Sequence, residues 1–320
     1  MKLRVLYHGN CFDGSASAGL FARFFREHLA DGAAEVAYTP MQHKGDPQPI
    51  PGGLLDGDVN ACVDFRYSQD PRLNWWFDHH ASAFQLAGDE AHFRADLSGQ
   101  KFYDPEAKSC TKLLATSLAE HHGFDITRFT ELLHWAELID GALFPSAAMA
   151  VELGEPALRL MTWVENNRDR PLAERFIEDL TTRPLADIAA DDYVARALAP
   201  LLERHAQNVE AMRRLSRLEG GVVVSNLIPA GIATINKFIV YYLHPEARYS
   251  VTVLETKERY KLSVGSNPWP KVPRTHDIAK LCERYGGGGH PAVGAISLPK
   301  TDLAAVERVA AEVTAFLQTG

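Results

Sequence analysis

No apolar run anywhere in the 320-residue chain reaches the roughly 20 residues that a bilayer-spanning helix needs. No membrane association is therefore expected. Cysteine is scarce: Cys11, Cys62, Cys110 and Cys282 are the four present, with no CxxC pair and no Cys/His spacing of a zinc knuckle. So few cysteines in so long a chain argue against a disulfide framework, and a reducing, cytoplasmic setting is expected. The opening MKLRVLYHGN lacks a long apolar core and a small-residue cleavage site. It reads as a strand that enters a site directly, not as a signal peptide. Basic charge is also in deficit, with 33 Lys and Arg against 41 Asp and Glu and a net charge of -8. A chain of that balance is not expected to hold long duplex DNA tightly. There is no internal repeat, and no low-complexity segment beyond four consecutive glycines at 286–289.

What is present is a globular composition, 46% hydrophobic and 23% charged, in a length that fits two domains. Charge is uneven along it. From Gly220 onward eleven basic residues face eight acidic ones, which leaves 22 against 33 in residues 1–219. The acidic part is where metal ligands would come from, and the mildly basic part could hold an anion, though both balances also fit ordinary solvated surface.

Apolar, β-rich runs at Leu3–Tyr7, Val36–Thr39, Asn60–Asp64 and Leu73–Phe77 predict strands, with a helix over Ser15–Leu29 after the first. His43–Gly53 reads as a loop. Ala107 to about Leu180 turns helical, with apolar residues at three/four spacing in Ser109–His121 and Phe129–Leu138. One long helix is expected over Asp191–Leu218, bent at Pro200 and stopped by Gly220-Gly221. Beyond it come a strand at Val222–Asn226, a helix at Thr234–Leu243 and a hairpin of Tyr249–Glu255 with Tyr260–Val264. A helix at His276–Tyr285, a strand at Val293–Leu298 and a helix at Leu303–Leu317 complete the pattern. The expected class is α/β in two domains. The first, 1–190, has a mainly parallel sheet flanked by helices. A helical linker follows at 191–219, and a smaller α/β domain with a mixed sheet fills 220–320.

Polar residues cluster where strands end. His8, Asp13, Asp64, Asp78, His79, His80 and Asp140 are the candidates for a site that holds divalent metal. Hydrolysis of a phosphate ester needs an activated water and a sink for charge on the phosphoryl oxygens. Two metals about 3.5–4 Å apart can supply both. Such a site takes hard oxygen ligands and imidazoles, with one carboxylate bridging. Singly, each residue has a plainer reading: a strand-end Asp usually caps a helix, and Asp140 before Gly141 could simply end one. The arrangement is what counts. His8 and Asp13, Asp64, and Asp78-His79-His80 follow three separate predicted strands, which brings them to one sheet edge, where the crevice of an open α/β sheet lies.

These segments resemble the DHH phosphoesterase superfamily coupled to a DHHA1 domain. H8-G-N-C-F-D13-G-S-A-S-A is similar to that family's first motif, V63-D64-F-R-Y-S to its second, D78-H79-H80 is the third, and Asp140 stands where the family has a lone aspartate. G286-G-G-G-H290-P-A-V-G294-A resembles the DHHA1 signature, so the match spans residues 5 to 296. The resemblance implies that His8 binds one metal, that Asp64 bridges two, and that Asp13, His79 and Asp140 bind the second. It implies that Asp78 orients its histidine neighbours and that His80 touches the substrate or the attacking water. Manganese is implied, with magnesium, cobalt or zinc as alternatives, in one or two ions. The glycine loop, through Gly287, Gly288, Gly289 and His290, is implied to bind substrate phosphate across an interdomain cleft; glycine lets backbone N–H groups approach phosphate closely.

Two departures stand out. The first motif of the family has two aspartates one residue apart, and here those positions hold Cys11 and Asp13. Either Cys11 is a soft ligand that favours zinc or iron, or it is unligated and one site is weak, with Asn10 as a neutral substitute. In addition, Gly265 stands where relatives that degrade short RNA carry an arginine, leaving Lys261, Asn267 or Arg274 to contact phosphate. Three functions follow. The leading one is hydrolysis of short oligoribonucleotides, linear dinucleotides such as pApA, or 3′-phosphoadenosine 5′-phosphate. The second is cleavage of polyphosphate or pyrophosphate; Trp269 and Tyr285 as stacking platforms would favour a base-bearing ligand over these. The third is a nucleotide-binding protein with weakened catalysis. A homodimer is a further expectation.

Overall fold

Strands followed by helices feed a parallel sheet, because each strand must be carried back to the same edge before the next begins. The computed structural model describes residues 1–30, 34–42, 48–269 and 273–319. Of the expected loop at His43–Gly53, residues 43–47 lie outside these. The chain divides into two compact units, Met1–Phe144 with Gly154–Leu198, and Pro145–Leu153 with Ala199–Gly320.

In the first unit, β1 (Lys2–His8), α1 (Phe12–His28), β2 (Glu35–Met41), β3 (Val59–Val63), β4 (Trp75–Asp78), α2 (Asp89–Ala95) and β5 (Lys101–Tyr103) lead into α3 (Cys110–His122) and α4 (Thr130–Asp140). Five strands form one sheet in the order β2-β1-β3-β4-β5, parallel throughout. The strand order reverses between β1 and β3, and at such a switch point a crevice opens beyond the carboxyl ends of the strands. The register fixes what reaches it. Tyr7 lies opposite Val63, and Val63 opposite Phe77. One step further along each strand stand His8, Asp64 and Asp78. Behind them α1 is buried along most of its length. Its Phe21 and Phe24 each pack 5.5 Å from the ring of Trp75, and burying each such side chain contributes about 1.5–3 kcal/mol.

The helical stretch continues through α5 (Ala147–Glu152), α6 (Pro156–Asn166), α7 (Arg170–Asp179), α8 (Leu185–Ala190) and α9 (Asp192–Leu215), with Pro200 inside the last. On α7, Glu178 receives both guanidinium nitrogens of Arg26 at 2.7 Å and the hydroxyl of Tyr38 at 2.6 Å. Burial works to raise its pKa, but these donors outweigh it and hold the carboxyl below its ordinary 4.5. A depressed carboxyl adds stability above its unfolded pKa and loses it as pH falls through the folded value. Glu178→Gln is therefore expected to destabilise the protein by about 1–2 kcal/mol at pH 7. Denaturant melts of the two proteins should converge as pH falls through the depressed pKa of Glu178; a gap that does not shrink on acidification would contradict the assignment.

The second unit adds β6 (Ser216–Glu219), β7 (Val222–Asn226), α10 (Ile239–Leu243), β8 (Tyr249–Glu255), β9 (Arg259–Ser266), α11 (Ile278–Glu283), β10 (Gly288–His290), β11 (Val293–Pro299) and α12 (Leu303–Leu317). Its sheet runs β10-β11-β9-β8-β7-β6, with β7 and β8 parallel and the other pairs antiparallel. This is the mixed sheet that the sequence predicts. Tyr249, Val251, Leu262, Val264 and Ile296 from the strands pack with Val306, Val313 and Leu317 of α12 to form its core.

Three segments differ from expectation. Ser216–Glu219 was expected at the end of a helix and instead pairs with β7. Gly220 and Gly221 have φ of 56° and 81°, and two left-handed residues in succession make the tight turn that closes a hairpin. Of Thr234–Leu243 only Ile239–Leu243 is helical. Asn236 takes up the preceding backbone, accepting from Phe238 N at 2.9 Å and donating to Ala150 O at 2.8 Å. Finally, α5 belongs with the second unit because Val151 packs among Met212, Leu227, Ile239 and Leu254.

Candidate metal centre

Each candidate ligand is delivered by a different piece of local chemistry. His8 ends β1, and its Nδ1 lies 3.3 Å from Asp64 Oδ2. Asp64 follows β3 in a left-handed conformation, φ 55°, with its amide bonded to Phe77 O at 2.9 Å. Aspartate tolerates that conformation better than most residues, and such backbone is concentrated at functional sites. Asp13 falls within α1, which begins at Phe12 and not at Ser15, so its carboxyl sits in the first turn where the helix dipole favours a negative charge, although burial and the Asp64 and Asp140 carboxylates raise its pKa well above the ordinary value. Both of its oxygens are engaged by the start of α3: Cys110 N donates to Oδ2 at 2.7 Å and Thr111 N to Oδ1 at 3.0 Å. Asp140 is the last residue of α4. A carboxylate there opposes the helix dipole by about 0.3–1 kcal/mol, a cost that packing does not require.

The Asp-His-His turn is organised by its own aspartate. Asp78 is fully buried, and its Oδ1 accepts from the backbone of His79 at 2.8 Å, from the backbone of His80 at 3.2 Å, and from His80 Nδ1 at 2.7 Å. His80 therefore has Nε2 to offer a ligand. His79 is oriented the same way by a different group: its Nδ1 donates to Ala107 O at 3.0 Å. A carbonyl can only accept, so the proton is on Nδ1 and the lone pair of neutral His79 is on Nε2.

That nitrogen lies 3.2 Å from Asp140 Oδ2, 3.5 Å from Asp64 Oδ1 and 3.8 Å from Asp13 Oδ2. Two groups result, His8 with Asp64 and His80, and Asp13 with Asp64 and His79, each with ligand atoms within 4.8 Å of one another. Asp64 belongs to both. The donor set fits a divalent cation. Both oxygens of Asp64 and Nε2 of His79 are buried without a hydrogen-bond partner, and buried polar atoms of this kind call for one. Burial by itself would lower the pKa of His79, yet Asp140 and Asp64, with Asp13 behind them, push it up to about 11. Carboxylates that draw a proton so strongly would draw a divalent ion in its place.

Comparison with known proteins places this geometry. No family model and no curated protein matches the sequence. Solved structures do match. The pGpG-specific phosphodiesterase PggH of Vibrio cholerae superposes with a TM-score of 0.69 over 98% of this chain and 99% of that one, at 19% identity. The DHH domain of a member of the s1p family of ribosomal proteins superposes with a TM-score of 0.61, at 12% identity, over 97% of this chain and 86% of that one. This chain has the DHH fold. RecJ of Thermus thermophilus, solved with Mn2+, superposes with a TM-score of 0.54 at 17% identity, over 98% of this chain and 52% of RecJ.

Within this DHH fold some residues singled out from sequence are committed elsewhere. Cys11 is part of neither ligand group among the described residues, and burial together with the Asp64, Asp13 and Asp140 carboxylates raises its thiol pKa well above the ordinary value. Asn10 donates to Val164 O and Asn167 O at 3.2 and 2.6 Å, so its amide nitrogen braces the loop. Asn267 is structural: it is 9% exposed, donates to Pro245 O and Ala247 O, and accepts from Trp269 N. Neither end of its amide is left for phosphate. A Cβ on Gly265 would come 3.0 Å from Tyr241 Oη and 3.2 Å from Ser250 Oγ, so any side chain there would have to shift those two hydroxyls by a few tenths of an ångström. Lys261 lies on β9 opposite Ser297, and Arg274 is exposed. Trp269 packs edge-on to Phe238 at 5.3 Å, and Tyr285 donates to Glu312.

The second half of the glycine run opens the edge strand β10. A Cβ on Gly287 would lie 2.2 Å from Ala295 O, and one on Gly289 would lie 2.2 Å from Val293 O. Close approach of β10 to β11 therefore requires both glycines. Gly288 meets nothing within 4 Å, and His290 beside it is exposed.

Proposed function

We propose that this protein is a divalent-metal-dependent phosphoesterase that hydrolyses short oligonucleotides or small nucleotides. The observation that carries the reading is Asp64, one buried carboxylate shared by two ligand groups on neighbouring strands. His8 and Asp64 would hold one ion, and Asp13, Asp64, His79 and Asp140 the other. Mixed imidazole and carboxylate ligation suits manganese, with magnesium, cobalt or zinc as alternatives. Such an ion supplies Lewis acidity and lowers the pKa of a bound water. The side chains do the rest. Burial lowers the pKa of His80, but Asp78 outweighs it and pushes it up to about 9, so the ring would be held as an imidazolium whose Nε2 donates to a phosphoryl oxygen as charge gathers there, the preorganised stabilisation on which phosphoryl transfer chiefly depends. Ala107 O keeps His79 in the tautomer that ligates.

A small nucleotide is favoured because a neighbour that matches over 99% of its own length is named for a linear dinucleotide, pGpG. The open part of the glycine strand, Gly288 and the exposed His290, would receive phosphate on the second unit, with Lys261 and Arg274 as further basic contacts. No described helix is long and apolar enough to cross a membrane. The four thiols are unpaired, which supports a reducing, cytoplasmic setting.

The test is release of nucleotide or phosphate by the purified protein. The panel is pGpG, pApA, a five-nucleotide RNA, 3′-phosphoadenosine 5′-phosphate and polyphosphate, each with EDTA, Mn2+, Mg2+ or Zn2+. Turnover of a nucleotide with metal and none with EDTA is expected. Turnover of polyphosphate alone would replace the substrate class, and no turnover in protein that binds metal would leave a nucleotide-binding role. Metal binding itself is expected to raise the melting temperature, since an ion at 100 times its Kd adds about 2.7 kcal/mol.

A further inference from the structure

Two residues past the shared aspartate stands an arginine at odds with its surroundings. Arg66 is only 6% exposed. Its Nε is buried with no hydrogen-bond partner. Among the described residues its one hydrogen bond runs from Nη1 to a neutral acceptor, Gln85 Oε1, at 3.2 Å. The guanidinium lies 4.9 Å from the centre of the adjoining Phe65 ring. No carboxylate is paired with it among the described residues. A guanidinium cannot shed its proton in a protein, so neutralisation cannot relieve the cost of burying it, and a buried cation without a counter-ion is strongly disfavoured.

Its place in the fold points to the missing partner. The residues that follow Asp64 run beside those that follow His80: Tyr67 N donates to Ala83 O at 2.9 Å, and Arg66 reaches Gln85. Trp76 Nε1 donates to Phe65 O at 2.8 Å and ties the same segment to β4. Arg66 is therefore held between the two segments that leave the bridging aspartate and the histidine pair. Structural arginines in the same unit are matched with carboxylates, as Arg26 is with Glu178 and Arg4 with Asp56.

We propose that Arg66 is the anion-binding residue of this centre, and that a phosphate of the ligand completes its coordination. The proposal rests on the phosphoesterase reading for its ligand, and Arg66 acts by binding and positioning. Guanidinium and phosphate pair through parallel, charge-assisted hydrogen bonds, so the loss of Arg66 should appear in affinity and not in the chemical step.

The test compares wild type with Arg66→Met and Arg66→Lys in two arms. In the first, inorganic phosphate is titrated in EDTA and the melting temperature is read. Wild type is expected to be stabilised by phosphate, Arg66→Met to show no response, and Arg66→Lys a weaker one. Without phosphate, Arg66→Met should melt at or above the wild-type temperature, because an uncompensated buried charge is gone. In the second arm, KM and kcat are measured with Mn2+ for pGpG and for GpG. KM is expected to rise about tenfold or more in Arg66→Met with kcat little changed. A rise confined to pGpG would assign the contact to the terminal phosphate, and an equal rise for both to the scissile one. An equal phosphate response in all three proteins would overturn the proposal, as would a KM unchanged in the variants. If Arg66→Met fails to fold, Arg66→Lys carries both arms. Absence of turnover in wild type would count against the phosphoesterase reading, and the phosphate titration would still decide the role of Arg66.

Discussion

Asp64→Asn is expected to abolish metal-dependent hydrolysis while leaving the protein folded. The substitution keeps the shape of the side chain and can keep the left-handed backbone at φ 55°, because asparagine visits that conformation readily. It removes the negative charge shared by both ligand groups. Loss of one preorganised electrostatic contact commonly costs about 10²–10³-fold in rate. Because Asp64 serves two groups, the fall in kcat/KM is expected to reach about 10³-fold or more. Asp64→Ala should lose as much activity and also some stability, since alanine pays about 1–2 kcal/mol in the left-handed region. Turnover and Mn2+-dependent melting, measured side by side, check both statements. An Asp64→Asn protein that kept a tenth of wild-type turnover, as an order of magnitude, would show that Asp64 is not the common ligand.

The second large effect lies in a residue with no side chain. Gly14 follows Asp13 in the first turn of α1, and a Cβ there would stand 2.2 Å from His8 O and 3.0 Å from His8 Cβ. Both close neighbours belong to His8 at the end of β1. Gly14→Ala must therefore push α1 away from β1, which separates His8 from Asp13. A destabilisation of about 2–3 kcal/mol is expected from the forced shift, or roughly 5–10 °C in melting temperature for a unit of this size. The larger consequence is functional: a ligand displaced by about 1 Å can cost on the order of 10²-fold in rate. Gly154→Ala is the matched control, because nothing lies within 4 Å of its added Cβ. Isothermal titration with Mn2+ and thermal melts should separate the two variants, and equal behaviour of both would remove the assigned role of Gly14.

Much of the centre was legible because strand-end chemistry is written locally. His8, Asp64 and Asp78-His79-His80 each follow an apolar run, and a parallel sheet in uniform register turns that linear pattern into spatial neighbours. What could not be read is carried by backbone. Asp13 is held by two amides of α3, 97 and 98 residues away, and His79 by a carbonyl; peptide groups leave no mark on composition. The glycine run shows the converse. Its residues announce close approach, but sequence does not distinguish a phosphate from a neighbouring strand, and here Gly287 and Gly289 face β11. Asn267 likewise carries a polar label that does not reveal which carbonyls it already serves. At the level of elements, β5 has three residues and no alternation to detect, and Ser216–Glu219 was hidden because two glycines punctuate a helix end and a hairpin turn alike.

The grip of α3 on Asp13 also bears on how quickly the centre can fill. Its rotamer is chosen by Cys110 N and Thr111 N in the protein alone, so an arriving ion need not freeze it, sparing an entropy on the order of 1 kcal/mol. An ion that reaches Asp13 would meet a carboxylate already aimed, so little rearrangement of this side chain would stand between encounter and binding.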